Sequence, residues 1–199
     1  MENERSWDTL LNIQTIGRYD SHADAYRYPY EPTPSCVLER LADSGLITET
    51  DVVLDYGCGK GRVDFFLARQ TKAATIGIEY DETIYRSALE NQRSAGIQAN
   101  FVLTRAESYA LPHNVSRCYF FNPFSQEILQ KVMARILESY YADPREIFLC
   151  FYYPSDEYVA YLMTVEELEF YDEIDCQDLF PAHDPRERIL LFCLPGYES

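Results

Sequence analysis

Short apolar runs alternate with segments of helical periodicity along most of the chain. The runs are rich in β-branched and aromatic residues and are too short for helices, which is typical of strands buried on both faces. Five of them are predicted strands, at residues 52–55, 74–78, 97–103, 118–121 and 147–152. Strands that alternate with helices form βαβ units around a parallel sheet.

The segments between these strands carry apolar faces together with helix start and stop signals. Asp81 is a predicted N-cap and Gly96 a predicted stop for one helix, and Ser125 is a predicted N-cap for the longest one. The helix after the first strand is predicted from the spacing of Val63, Phe66, Leu67 and Gln70. The longest helix is predicted from one apolar stripe, made of Ile128, Leu129, Val132, Met133, Ile136, Leu137 and Tyr140.

The two ends of the chain depart from this alternation. At the N-terminal end, a short apolar helix is predicted to end at Gly17, and a second is predicted to start with Thr33 as its cap and Pro34 at its first position. At the C-terminal end, residues 168–176 and 189–194 read as strands with no long helix between them. The predicted fold is α/β: a doubly wound, mostly parallel seven-stranded sheet with an antiparallel last pair and helices on both faces.

Length and composition limit the organisation of the chain. The 199 residues predict one domain, with N-terminal helices and a pocket cover in residues 1–46 and the main sheet in residues 47–199. No apolar run reaches the roughly 18 residues of a membrane span, and the first residues do not resemble a signal peptide. The six cysteines form no CxxC pair, so we expect reduced thiols, a cytoplasmic location and no membrane partner.

The excess of acidic residues limits the kinds of partner that the protein is expected to bind. The chain has 17 Lys and Arg against 33 Asp and Glu, a formal net charge of −16, which argues against a nucleic-acid partner. Residues 155–190 hold 11 acids and two arginines. This segment is either a solvated acidic face or a surface that attracts a basic protein or polyamine-like substrate. The three histidines, His22, His113 and His183, lack ligand spacing, so we expect no metal site.

The strongest chemical signal lies between the first predicted strand and the helix after it. There the chain reads Asp55-Tyr56-Gly57-Cys58-Gly59-Lys60-Gly61. Glycines at this junction permit a tight turn and a close approach of a ligand to the backbone, and the helix start offers free N–H groups. The spacing is GxGxG with an acid two residues ahead, whereas a dinucleotide fingerprint is GxGxxG.

This motif and the order of elements resemble the class I S-adenosylmethionine (SAM)-dependent methyltransferases over roughly residues 50–194. The resemblance implies SAM as cofactor, with its methionine part in the glycine turn, and Glu79 on the ribose hydroxyls. Arg105 stands where many members have Asp. Glu79 could instead begin an exposed turn, and the loop after the third strand could be solvated. The implied cofactor-binding residues are Asp55, Tyr56, Gly57, Cys58, Gly59, Gly61, Glu79, Tyr80, Ala106 and Glu107.

The fourth predicted strand leads into Asn122-Pro123-Phe124. These residues resemble the Asn/Asp-Pro-Pro-aromatic motif of amino-group methyltransferases, with Phe124 in place of the second proline. The resemblance implies that Asn122 and Pro123 hold the acceptor and that Phe124 shapes its pocket. An ordinary turn before the next helix is the alternative. Four residues before the sheet either cover the pocket or seal the domain edge: Tyr26, Tyr28, Tyr30 and Thr33.

These features predict a SAM-dependent methyltransferase that acts on a small-molecule or protein acceptor, with an amino nitrogen as one candidate. Two other classes stay open at this stage. A non-catalytic SAM-binding or interaction protein would need the same glycine turn. A nicotinamide-dependent oxidoreductase would also use Glu79, but the GxGxG spacing and the lack of a catalytic His or Tyr-x-x-x-Lys pattern argue against it.

Overall fold

The structure, a computed structural model, describes residues 2–17 and 30–196. Short 3₁₀ turns lie at Ala106–Ser108 and Gln177–Leu179. The helices and strands, in chain order, are α1 Glu2–Leu11, α2 Ser35–Asp43, β1 Val52–Tyr56, α3 Arg62–Thr71, β2 Ala74–Glu79, α4 Glu82–Ala95, β3 Asn100–Leu103, β4 Arg117–Phe120, α5 Gln126–Ala142, β5 Ile147–Tyr152, α6 Asp156–Leu162, β6 Glu169–Asp175 and β7 Arg188–Leu194.

The seven strands form one sheet in the order β3-β2-β1-β4-β5-β7-β6. The first five strands in this order are parallel, and β7 runs antiparallel to both β5 and β6. One apolar cluster packs α5 and α6 on one face of the sheet, and a second packs α2 and α3 on the other. The predicted fold class is therefore confirmed. None of the described helices is long and apolar enough to cross a membrane.

The sheet register gathers several chain segments at one edge. Tyr56 at the end of β1 pairs with Ile78 of β2 and with Phe120 of β4. Because β7 runs in the opposite direction, its second residue, Ile189, pairs with Tyr152 at the end of β5. The carboxyl ends of β1, β2, β4 and β5 therefore share an edge with the beginning of β7.

Helix ends follow the predicted signals at some positions and depart from them at others. The Asp81 carboxylate accepts hydrogen bonds from the N–H groups of Thr83 and Ile84, so it caps α4 as predicted. Ser125 occupies the N-cap position of α5 but its side chain makes no capping hydrogen bond. The predicted stop of α1 at Gly17 is wrong, because Asn12 adopts a left-handed φ of 54° and ends the helix at Leu11.

The cap of α2 is a second correction. Pro34 occupies the N-cap position itself, and Thr33 does not cap the helix. Instead, the N–H of Ser35 donates to Glu4 Oε1 of α1 at 2.7 Å, and the Ser35 hydroxyl donates to Glu4 Oε2 at 2.9 Å. Strand boundaries also differ from prediction: β3 starts at residue 100, since residues 97–99 stay outside the ladder, and β4 spans residues 117–120. The other strands except β5 differ by one residue at one or both ends.

Two further details of the helices differ from the sequence reading. Gln70, predicted on the apolar face of α3, is exposed in the last turn of that helix. Helix α6 was not predicted; its first turn is capped by the Ser155 hydroxyl, which accepts from the N–H of Tyr158. This helix covers the α5 face of the sheet through buried Tyr158 and Leu162.

A buried arginine ties the N-terminal segment to the sheet. The Arg62 side chain, at the start of α3, forms an ion pair with Glu4, and its Nη2 lies 3.5 Å from Asp8 Oδ1. Its Nε donates to Thr15 Oγ1 at 2.6 Å, and its Nη1 donates to the Thr33 carbonyl at 3.2 Å. These contacts fix α1 and the segments on both sides of residues 18–29 against the end of the glycine turn.

Candidate active site

A cavity of about 460 Å³ opens at the carboxyl edge of β1, β2, β4 and β5. This volume is in the range of pockets for small molecules and cofactors. The cavity brings together residues that lie far apart in the sequence. Of the predicted site residues, its walls include Tyr30, Thr33, Asp55, Gly57, Cys58, Glu79, Tyr80, Ala106, Glu107, Asn122, Pro123 and Phe124.

Three other predicted site residues, Tyr56, Gly59 and Gly61, do not line the cavity. The Tyr56 side chain is buried in the core, where its ring stacks on Phe120 with centroids 4.6 Å apart, so a ligand contact at this residue would use its backbone. A Cβ on Gly59 would meet the Tyr30 ring, and a Cβ on Gly61 would meet the Phe101 ring. Tyr26 and Tyr28 lie outside the described residues.

The glycine turn has a backbone that side chains would disturb. Gly57 and Gly59 have φ of +80° and +57°, in the left-handed region that favours glycine. The N–H groups of Gly57 and Cys58 both donate to the Ile78 carbonyl at 3.0 Å, which holds the turn on β2. A Cβ on Gly59 would lie 2.2 Å from the Tyr30 ring. The turn is therefore held on one side by its hydrogen bonds to β2 and packed on the other side against the Tyr30 ring.

Tyr30 packs on the glycine turn and lines the cavity. Its hydroxyl donates to the Thr15 carbonyl at 2.7 Å, and the Lys60 Nζ lies 5.0 Å from the centroid of its ring. Burial raises the pKa of Tyr30, so the hydroxyl stays protonated and keeps donating. Thr33 lies further along the wall, with its Oγ1 3.1 Å from the Tyr119 hydroxyl.

Glu79 is held in place by backbone amides. Its Oε1 accepts from the N–H groups of Tyr80 at 2.8 Å and Asp81 at 2.9 Å, and its Oε2 accepts from Gly59 at 3.1 Å. Burial raises the pKa of Glu79, and these three hydrogen bonds oppose that shift. A carboxylate has about four acceptor positions. Three of these positions are occupied, so one remains on Oε2 for a ligand hydroxyl.

Asp55 has a neighbour that sequence reasoning missed. Asp64, in the first turn of α3, is 1% exposed, and Asp55 is 3% exposed. Burial raises the pKa of Asp55 to about 8; a hydrogen bond from a protonated Asp64 opposes this shift and the Glu79 charge adds to it. Burial also raises the pKa of Asp64 well above its usual value, and Asp55 adds to that shift. With both carboxyls ionised, Asp55 Oδ2 and both carboxylate oxygens of Asp64 are buried without a hydrogen-bond partner among the described residues. A proton on either carboxyl would allow a hydrogen bond between the two groups, which two ionised carboxylates cannot form. An acid inside the apolar run around Val63 and Phe65 was the available sequence signal.

The segment after β4 forms the opposite wall. Asn122 has a left-handed φ of 40°, and its Oδ1 is shielded from solvent without a hydrogen-bond partner among the described residues. Pro123 packs against the glycine turn, since a Cβ on Gly57 would lie 2.9 Å from its ring. Phe124 is 4% exposed, and its carbonyl accepts from the Tyr158 hydroxyl at 2.5 Å.

Aromatic and acidic residues at the β4–β5 end of the cavity were also missed. Phe121 packs on Tyr152 with ring centroids 4.8 Å apart, and Tyr153 is 6.5 Å from Phe121. The Tyr152 hydroxyl donates to Glu187 Oε2 at 2.6 Å. Aromatic residues at the ends of two predicted strands could have indicated this wall, whereas Glu187 is brought there by the reversal of β7.

The walls of the cavity are predominantly acidic. Within the described part of the chain, its one lining cation is Arg62, which is already paired with Glu4 and Asp8. The lining acids are Glu31, Asp55, Glu79, Asp81, Glu107 and Glu187. A wall of this charge favours a cationic ligand over an anionic one. The described residues contain no group of three or more His, Cys, Asp or Glu that could hold a metal ion.

Comparison with known sequences points to one family. Residues 53–141 match the family described as a methyltransferase domain. A protein-lysine N-methyltransferase of Saccharolobus islandicus is 33% identical over 70 residues, which cover 35% of this chain and 44% of that protein. A ribosomal protein L11 methyltransferase of Chromobacterium violaceum is 34% identical over 58 residues, 29% of this chain and 20% of that protein. The chain thus spans less than half the length of these curated relatives.

Solved structures share the fold over most of the chain. An RNA methyltransferase of Salinibacter ruber, in complex with S-adenosyl-L-homocysteine, superposes with a TM-score of 0.58 at 20% identity, covering 85% of this chain and 97% of that one. A TehB-like SAM-dependent methyltransferase of Corynebacterium glutamicum superposes with a TM-score of 0.56 at 16% identity, covering 98% and 97%. The chain therefore has the Rossmann-like fold of these methyltransferase structures, and its residues 53–141 match the methyltransferase domain family.

Proposed function

We propose that the protein is an enzyme that transfers a methyl group from SAM to an amino nitrogen of a small-molecule or protein acceptor. One observation carries the proposal: a single cavity joins the glycine turn and Glu79 to Asn122 and Pro123. The name of the Saccharolobus islandicus relative, a protein-lysine N-methyltransferase, supports an amino nitrogen as acceptor. The acidic walls support a cationic or neutral acceptor over a nucleic acid.

The residues on the β1–β2 side fit the cofactor. Gly57 lines the cavity in a left-handed backbone conformation, Asp55 Oδ2 is buried without a hydrogen-bond partner among the described residues, and Glu79 keeps an acceptor position for a ribose hydroxyl. Tyr80, Ala106 and Glu107 would surround the adenine. When bound, the sulfonium of SAM supplies an activated methyl group, and its positive charge suits the acidic walls.

The residues on the β4 side would position the acceptor. Asn122 Oδ1 has no partner among the described residues, so an acceptor N–H would satisfy it and direct the nitrogen lone pair toward the methyl group. Alignment of the two reacting atoms is the main contribution that a protein makes to such a displacement. Tyr30 and Thr33 would exclude water from the cavity.

We propose that residues 1–199 form one domain, with residues 1–46 as the N-terminal helices and pocket cover and residues 47–199 as the core. Arg62 supports this organisation, because it bonds α1 and residue 33 directly to α3. We also propose a cytoplasmic location, which the six unpaired cysteines support.

A binding experiment with two variants tests the proposal. Calorimetric titration should show binding of SAM and S-adenosylhomocysteine and none of NADH. Glu79→Ala should weaken SAM binding, whereas Asn122→Ala should keep it and lose methyl transfer from radiolabelled SAM to an amine panel. Binding of NADH alone would assign the chain to the oxidoreductases instead. SAM binding without transfer to any acceptor would favour a non-catalytic SAM-binding protein.

A further inference from the structure

The β4–β5 end of the cavity has a carboxylate that the proposed transfer does not yet use. Glu187 directly precedes β7, and the N–H of Tyr153 donates to the carbonyl of the next residue, Arg188, at 3.0 Å. Glu187 lines the same cavity as Asn122. It thus stands at the acceptor side of the site, on a different element from the glycine turn and Glu79.

The Glu187 carboxylate is fixed by one hydrogen bond and keeps its other oxygen available. Tyr152 donates to Oε2 at 2.6 Å, and no described residue donates to Oε1. Burial raises the pKa of Tyr152, and the Glu187 carboxylate raises it further, so the phenol stays protonated as the donor. A ligand N–H can therefore bind to Oε1 without displacing an existing partner.

Aromatic rings surround this carboxylate. Phe121, Tyr152 and Tyr153 line the cavity together with Tyr119 and Phe180. The Phe121 ring lies 4.8 Å from Tyr152 and 6.5 Å from Tyr153. Rings of this kind attract cations through their faces and also pack on alkyl chains. A carboxylate among such rings matches an alkylammonium ion, because the carboxylate can bind the ammonium while the rings pack on the alkyl chain.

The neighbouring cations do not neutralise Glu187. Arg186, on the same loop, stacks on Tyr153 at 4.3 Å and pairs with Asp184 at 2.9 Å, and it does not line the cavity. Arg62 is bound by Glu4 and Asp8. Arg188 pairs with Glu173 at 3.1 Å. Each cation therefore already has its own acid, and the Glu187 charge stays directed at the ligand.

We propose that Glu187 binds the methyl acceptor as a primary alkylammonium ion, with its alkyl chain against Phe121, Tyr152 and Tyr153. This proposal rests on the proposed function and names its substrate class. The ammonium loses a proton to water before transfer. Its nitrogen lone pair then forms the N–CH₃ bond as the S–CH₃ bond of SAM breaks, and that electron pair stays on sulfur. The products are a secondary ammonium and neutral S-adenosylhomocysteine.

The test uses n-butylamine as the probe, with butyrate and 1-butanol as anionic and neutral analogues. With the protein saturated with S-adenosylhomocysteine, NMR titration should show binding of n-butylamine in preference to both analogues. Glu187→Gln should weaken amine binding about tenfold or more, because it removes the charge from a charge-assisted hydrogen bond. Glu166→Gln removes the same charge from an exposed position outside the cavity and should change amine binding less than about twofold.

The outcomes separate this proposal from the proposed function. Equal amine affinity in wild type and Glu187→Gln, or no amine binding at all, overturns the role of Glu187 even if SAM binds. Failure of SAM and S-adenosylhomocysteine to bind overturns the proposed function. The amine titration of the free protein then still decides whether Glu187 binds an alkylammonium ion. If Glu187→Gln loses its fold, Phe121→Leu is the second variant, and it should weaken amine binding severalfold.

A transfer assay then identifies the source of the ammonium group. Radiolabelled methyl from SAM should enter either free alkylamines or the lysine side chains of a peptide, and each result supports the proposal while naming a different substrate. Incorporation into a hydroxyl or carboxylate acceptor, with none into amines, would overturn it.

Discussion

At the scale of single residues, Gly59 shows how conformation and packing act together. Gly59 and Gly96 both have left-handed φ, +57° and +62°. A Cβ on Gly59 meets the Tyr30 ring at 2.2 Å, whereas a Cβ on Gly96 meets nothing within 4 Å. The two positions therefore separate the cost of the backbone conformation from the cost of the clash.

We expect Gly96→Ala to lower the free energy of unfolding by about 1 kcal/mol, the cost of a left-handed alanine. Gly59→Ala should lower it by about 1–3 kcal/mol more and weaken SAM binding, because Tyr30 must move. Urea denaturation and calorimetry measure both effects. In a Tyr30→Ala background the excess cost of Gly59→Ala should disappear. Equal costs for the two alanines in the wild-type background would contradict this account of the turn.

The sequence predicted those site residues whose role depends on local spacing. The GxGxG turn and Glu79 follow directly from two predicted strand ends, and both line or shape the cavity. Asp64 and Glu187 were missed, because their roles depend on distant elements. Asp64 Oδ2 lies beside Gly77 of β2, and Glu187 meets Tyr152 across 35 residues. Such contacts depend on the order of the strands in the sheet, and the local sequence around Asp64 or Glu187 does not indicate that order.

At the scale of elements, the attachment of α1 depends on Arg62. The side chain of Arg62 is 5% exposed, and it binds Glu4, Asp8 and Thr15. Its removal would leave buried carboxylate groups without their cation. A second ion pair, between Arg40 and Asp178, offers a contrast, since its side chains are 32% and 65% exposed.

We expect Arg62→Met to lower the free energy of unfolding by about 3–5 kcal/mol, the usual cost of breaking a buried ion pair by removing one partner. Arg40→Met should cost less than about 1 kcal/mol, because solvent screens an exposed pair. Urea titration at neutral pH compares the two variants. If both lost the same small amount, α1 would be held by its apolar contacts, such as that of Trp7 with Phe66, rather than by Arg62.

Elements with strong local signals were predicted, and those shaped by distant contacts were not. The five parallel strands follow from apolar runs, and the cap of α4 follows from Asp81. The seven-residue helix α6 is too short to show a periodic pattern. The cap of α2 comes from Glu4, 31 residues away, so the local sequence at Thr33 gave the wrong residue.

At the scale of the whole molecule, strand order decides which charges meet. The antiparallel β7 places Glu187 on the acceptor side, and the central β1 places Asp55 beside the carboxyls of α3 and β2. Buried carboxyls in the centre of an acidic protein of net charge −16 couple its stability to pH. The direction of that coupling follows from how burial shifts each pKa.

Burial raises the pKa of Asp55 to about 8, and it also raises the pKa values of Asp64 and Glu79. In the unfolded chain these groups titrate near their ordinary value, about pH 4. Between about pH 4 and 8 the native state therefore binds more protons than the unfolded state, and stability falls as pH rises. Asp51 and Asp178 have lowered pKa values, so their opposite contribution is confined to acid below this range.

We expect the free energy of unfolding to fall by at least about 1–2 kcal/mol between pH 5.5 and 8.5, as the Asp55–Asp64 pair loses its proton. Asp64→Asn should flatten this dependence, because the amide donates a hydrogen bond to Asp55 without a titratable proton. Urea titrations of both proteins across this range measure the two slopes. Repulsion among the surface acids contributes almost equally to wild type and variant, so the difference between slopes isolates the buried pair. Parallel slopes would show that the two carboxyls do not share a proton in the native state.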